Sequence, residues 1–189
     1  MGQNSSTLKK EQLNQLANDT KFSKKEIQQW YKGFIRDAPS GYIDRADFRR
    51  IYRSFWSLGD SDDFADMVFD QFDLNKNGVI EFQEFIACLS ITARGTIEDK
   101  LKWAFDLHDV DKDGYISKSE CLKTMQALYK MLGRIKLPDD EQTPELKVKK
   151  LFEIMDKDND ERIDYKDFQE GAKVYPSIIQ AMNLYDGLV

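Results

Sequence analysis

DVDKDGYISKSE, residues 109–120, sets four carboxylates, one glycine and one isoleucine into twelve positions. Left alone, Asp109, Asp111, Asp113 and Glu120 repel one another, so the spacing asks for a cation between them. The three aspartates stand at positions 1, 3 and 5 of a twelve-residue loop. Tyr115 at position 7 can offer its backbone carbonyl, Ser117 at position 9 acts through a water, and Glu120 at position 12 can bind with both oxygens. Gly114 at position 6 permits the sharp turn at positive φ that a Cβ would strain. Six or seven hard oxygens suit calcium better than zinc or copper. An acidic surface loop that merely keeps the chain soluble would not need the whole spaced pattern.

The same unit recurs outward from this stretch in both directions. DLNKNGVIEFQE (73–84) supplies Asp73, Asn75, Asn77, the carbonyl of Val79 and Glu84, with Gly78 at position 6. DKDNDERIDYKD (156–167) supplies Asp156, Asp158, Asp160, the carbonyl of Arg162 and Asp167. RDAPSGYIDRAD (36–47) is the fourth copy once Ile43 is set at position 8. Isoleucine holds that position in all four, at 43, 80, 116 and 163, where it can make a short antiparallel contact with a paired loop.

The flanks read as amphipathic helices. DFADMVFDQF (63–72) and EDKLKWAFDLH (98–108) carry apolar residues at three- and four-residue intervals. Ser23 and Glu26 form a capping-box pattern that is read as opening the first helix. Thr143 before Pro144 marks another helix start, and GRIKLPDDEQTP (133–144) reads as an exposed loop. The expected fold is all-α: four helix–loop–helix units paired into two lobes, with short antiparallel contacts between paired loops. The expected organisation is an N-terminal lipid-anchor segment (1–22), a first pair (23–93), a hinge (94–97), a second pair (98–175) and a C-terminal regulatory tail (176–189).

The four loops are not equal. The first has Arg36 where the leading ligand belongs, Ala38 and Ser40 at positions 3 and 5, and a stiffening Pro39, so no metal is expected there. The second and third are intact. The fourth keeps its carboxylates but has Glu161 where glycine belongs and the shorter Asp167 at position 12. A tighter, smaller ligand set leaves calcium, magnesium or no ion open at that loop.

Composition excludes other classes. A net charge of −6 argues against nucleic acid, and 12 Phe, 8 Tyr and 3 Trp are too much apolar bulk for a disordered acidic tail. Cys88 and Cys121 are too few for a disulfide framework; with no secretory signal in view they read as reduced cytosolic thiols serving as small buried hydrophobes. His108, the only histidine, reads as a helix-end packing residue, and no nucleophile arrangement or phosphate loop suggests an enzyme. MGQNSS opens the chain with Gly2 and Ser6 placed for N-myristoylation, and Lys9 and Lys10 can touch anionic headgroups.

These features resemble the neuronal calcium sensor family, most closely its frequenin branch. The likeness rests on MGQNSSTL, EIQQWYKGFIRDAPSG, ARGTIEDKLKWAFDLHDVDKDGYIS and PSIIQAMNLYDGLV, and covers essentially the whole chain. It implies EF-hand units, a silent first loop, calcium in the others, a myristoyl anchor at Gly2 and peripheral attachment to Golgi or plasma membrane. It also implies regulation, without catalysis, of amphipathic target helices such as those of phosphatidylinositol 4-kinase, receptor tails and exchange-factor or chaperone proteins. The target groove maps to Trp30, Phe34, Phe48, Tyr52, Phe55, Phe85 and Leu89, residues whose helical spacing alone would make them core. A permanent calcineurin-B-like subunit and a calcium buffer are the competing readings.

Overall fold

The structure is a computed structural model that describes residues 8–133 and 138–175. The first unit comprises α2 (Lys24–Asp37), β1 (Tyr42–Asp44) and α3 (Arg45–Phe55). The second comprises α4 (Asp62–Phe72), β2 (Val79–Glu81) and α5 (Phe82–Arg94). The third comprises α6 (Ile97–His108), β3 (Tyr115–Ser117) and α7 (Lys118–Leu132), and the fourth α8 (Pro144–Met155), β4 (Arg162–Asp164) and α9 (Tyr165–Val174). Strands β1 and β2 pair antiparallel with Ile43 opposite Ile80, and β3 and β4 with Ile116 opposite Ile163. All four isoleucines are buried. The expected pairing, first with second and third with fourth, is therefore the one observed.

Local sequence explains where the helices begin. The Ser23 backbone N–H donates to the Glu26 carboxylate at 2.8 Å, so the capping box forms as expected. Thr143 caps α8, with Pro144 in its first turn. Yet α2 is not the first helix: α1 (Lys10–Asp19) precedes it and buries Leu13 and Leu16 in the core. Two leucines and one alanine in a polar decapeptide were too weak a signal to show it. Among the described residues of 133–144, Pro138, Asp139, Asp140, Gln142 and Thr143 are exposed, as a loop should be, but one residue departs from that reading. Asp139–Glu141 form a turn of 3-10 helix, and Glu141 is buried between Lys147 and Lys150, at 2.7 and 2.8 Å.

The lobes are not separate cores. Trp103 and Leu107 of α6, with Ala127 and Met131 of α7, belong to the apolar cluster of the first lobe. A smaller cluster around Phe105, Met125, Phe152 and Phe168 fills the second. The backbone at Gly59 lies so close to α7 that a Cβ would collide with the carbonyl oxygens of Lys130 and Met131. Between α5 and α6 only Gly95 and Thr96 intervene, and Arg94 is held by the Lys21 carbonyl at 3.0 Å and the Glu26 carboxylate at 2.5 Å.

Candidate metal centre

The loop backbones are shaped before their side chains are considered. Positive φ occurs at position 4 of three loops (Lys76, Lys112 and Asn159) and at position 6 of all four (Gly41, Gly78, Gly114 and Glu161). Position 4 of the first loop is Pro39, whose ring cannot reach that conformation. Each of the other three loops turns its opening carboxylate inward in the same way. One oxygen of Asp73, Asp109 and Asp156 accepts the N–H of the residue at position 6, at 2.9, 3.1 and 3.1 Å. Asn77, Asp113 and Asp160 then accept the N–H two residues ahead, at 3.0, 2.9 and 2.8 Å.

The third loop has the clearest ligand geometry. Oxygen atoms of Asp109, Asp111 and Asp113 lie within 4.8 Å of one another, as do those of Asp156, Asp158 and Asp160. Asp109 is only 3% exposed, and its Oδ1 is buried without a hydrogen-bond partner. A buried, unpartnered carboxylate oxygen facing two further carboxylates is costly unless a cation satisfies it. This set of hard oxygens fits calcium.

Position 12 closes each loop from the first turn of the exiting helix. Glu84 accepts the N–H of Asn75 at 3.1 Å and of Glu81 at 2.9 Å. Glu120 accepts those of Val110, Asp111 and Ser117 at 3.0, 3.2 and 2.9 Å. Burial would raise the Glu120 pKa, but its bonds to Ser117, Asp111 and Val110 outweigh that and hold it below the usual range. Asp167 is one methylene shorter. It accepts only the N–H of Asp164, at 3.4 Å, and no bond among the described residues ties it to the first half of its loop. Burial, followed by the charge of Asp164, raises its pKa.

The first loop is built differently. Arg36 forks onto Asp37 at 2.8 and 3.0 Å, Ala38 is buried, and Asp47 at position 12 turns away to Arg50 at 2.7 Å.

Six of the seven residues mapped to a groove meet within the first lobe. Trp30 and Phe34 contact Phe85, with centroids 6.1 and 5.4 Å apart, while Phe48 stacks on Tyr52 at 5.7 Å and Leu89 is buried. Phe72 bridges the two groups. In this conformation Phe34, Phe48, Tyr52 and Leu89 are core and Trp30 and Phe85 are half-buried against it; Phe55, 55% exposed, stands at the end of α3. Cys88 and Cys121 are free and buried, and burial pushes both thiols up to about 12. His108 places Nδ1 2.8 Å from the Ala104 carbonyl and packs on Phe168; burial lowers its pKa against that bond. Gly2 and the tail 176–189 lie outside the described residues.

Two features escaped the sequence reading. Lys76 and Lys112 fold back onto the carbonyls of Asp70 and Asp106, at the ends of α4 and α6. A lysine at position 4 of both intact loops was the available signal. The side chain of Gln71 also reaches the Asp106 carbonyl, a contact across 35 residues that no local pattern announces.

Comparison with known proteins agrees with this geometry. An EF-hand domain pair model matches residues 39–90 and 98–173. Proteins called neuronal calcium sensor 1 from Lymnaea stagnalis and Aplysia californica are each 46% identical over 187 residues, covering 98% of this chain and 98% of their own.

Proposed function

The chain belongs to the neuronal calcium sensor family of EF-hand proteins, and from that premise we propose that it is a myristoylated sensor that regulates target proteins through an apolar groove. The observation that carries this reading is the third loop, with the unpartnered Oδ1 of Asp109 beside Asp111 and Asp113. Asp73, Asn75, Asn77, the Val79 carbonyl and Glu84 form one calcium site. Asp109, Asp111, Asp113, the Tyr115 carbonyl and Glu120 form the other. Asp156, Asp158, Asp160, the Arg162 carbonyl and Asp167 form a weaker site that also suits magnesium, and the first loop stays empty. When bound, calcium would supply the positive charge that balances the carboxylates of each loop, and in sensor hands its binding opens the closed helix pair.

The chain's own residues do the rest. Trp30, Phe34, Phe48, Tyr52, Phe85 and Leu89 pack in one cluster here, and Phe55 is exposed at the end of α3. Parting the helix pairs turns that core into a groove for an amphipathic helix anchored at three- and four-residue spacing, such as one from phosphatidylinositol 4-kinase. Gly2 carries the acyl chain. One myristoyl group binds membranes only marginally, so the attachment is peripheral and reversible; no helix among the described residues is long and apolar enough to cross a membrane.

The test is Trp fluorescence and capture of a synthetic amphipathic helix, with and without calcium. Calcium-dependent capture that is lost when Glu84 and Glu120 are both changed to Gln supports the reading; capture indifferent to calcium contradicts it.

A further inference from the structure

Helix α4 is tied to the second lobe at both ends. At its start, Lys130 of α7 pairs with Asp60 at 3.1 Å and Asp63 at 2.9 Å, beside the close approach of Gly59 to the end of α7. At its end, the side-chain amide of the partly buried Gln71 donates to the backbone carbonyl of Asp106 at 2.8 Å. Gln71 stands two residues before Asp73 and Asp106 three before Asp109, so one hydrogen bond joins the stems of the second and third loops. The Asp106 carbonyl belongs to the last turn of α6, where helix carbonyls lack N–H partners of their own. Its other donor is Lys112, and Lys76 caps the matching carbonyl of α4.

We infer that Gln71 couples the calcium loops of the two lobes, so that an ion held in one raises the affinity of the other. The inference rests on the reading that loops two and three both hold calcium. Gln71 is a positioning residue and touches no ligand atom. When the Asp73 carboxylate is neutralised and reorients, the last turn of α4 shifts with it. The bond carries that shift to the last turn of α6, from which Asp109 projects. The Lys130 latch lies about 15 Å away along α4, so changing Gln71 leaves it intact.

The experiment uses the full chain. Calcium is titrated into wild type, Glu84→Gln and Glu120→Gln, each with and without Gln71→Leu, which keeps the side-chain bulk but donates nothing. Gln71→Glu, which keeps the shape, is the second variant should the first perturb folding, as judged by its thermal melt. Coupling of about fivefold or more is expected with Gln71 present, falling below twofold in both variants while single-site affinities stay within twofold. An independent readout is the Gln71 side-chain amide resonance in Glu84→Gln, where only the third loop of this pair takes calcium. It should shift as that loop fills, and so should the backbone amides of residues 73–78, the latter response disappearing with Gln71→Leu. Coupling that persists in both variants, an unmoved Gln71 resonance, or a wild type without coupling overturns the inference. Absence of calcium from loops two and three would instead overturn the functional reading beneath it, and would show as backbone amides of residues 73–84 and 109–120 that calcium leaves unmoved.

Discussion

Glu84 accepts the backbone N–H of Asn75 at 3.1 Å, reaching back nine residues to tie the exiting helix of the second unit to the start of its loop. Glu120 does the same in the third, to Asp111 at 3.2 Å. In the fourth, Asp167 is a methylene shorter and binds only its own helix start. A side-chain length thus separates the loops whose halves are already joined from the one whose halves are not.

Removing one charge at position 12 should therefore remove one site. Glu84→Gln and Glu120→Gln are each expected to lower calcium affinity at the corresponding loop by at least about thirtyfold, or about 2 kcal/mol. Isothermal titration calorimetry should show one strong ion fewer in each. Two strong ions retained by either variant would contradict the assignment.

The fourth loop should respond to repair. Glu161 sits at φ 66°, where Gly78 and Gly114 sit at 85° and 90° in the intact loops. Glu161→Gly with Asp167→Glu is expected to raise calcium affinity there at least about tenfold. The ion pair of Glu161 with Lys118 is exposed, and its loss should matter little. Unchanged affinity by calorimetry would mean that the neighbouring loop governs the site.

Glycine changes should sort by what a Cβ would meet. Gly59→Ala is expected to destabilise the protein by about 2–3 kcal/mol, because its neighbours are the backbone carbonyls of α7. Gly33→Ala, mid-helix in α2 with open space around it, should stabilise by up to about 1 kcal/mol. Thermal melts of the two variants should move in opposite directions.

Acid should weaken the seam between α5 and α2. Hydrogen bonds from Arg94 and then Ser23 lower the Glu26 pKa from 4.5 to about 2. Between those values the unfolded chain binds more protons than the folded one. This contribution is therefore present above pH 4.5 and fades as pH falls toward 2. The groups are exposed, so Glu26→Gln should flatten the acid limb of a melting curve by only about a degree or two. A steeper acid limb in the variant would contradict the assignment.

Much of this architecture was legible because the loop spacing encodes it. Isoleucine at position 8 identified both strand pairs, and the serine, threonine and proline signals identified helix starts. What escaped depends on distant partners. The polar helix α1 is held by two leucines that only the assembled core makes use of. Glu141 is buried because Lys147 and Lys150, on the next helix, neutralise it. The helical spacing of Trp103 and Met131 marks them as core without saying that they complete the other lobe's core. At the site, the inward turn of Asp73, Asp109 and Asp156 follows from the loop spacing, whereas the Gln71–Asp106 bond joins two copies of the unit that do not pair through their strands.

The most direct test of the account follows the position-6 backbone amides by nuclear magnetic resonance during a calcium titration. The N–H groups of Gly78 and Gly114 donate to the carboxylates of Asp73 and Asp109, whereas that of Gly41 donates to the backbone carbonyl of Ala38 at 2.9 Å. The account predicts that the Gly78 and Gly114 resonances move together with micromolar or lower calcium while Gly41 shows no ion binding of its own. Unmoved Gly78 and Gly114 resonances, or a calcium ion in the loop of Gly41, would contradict it.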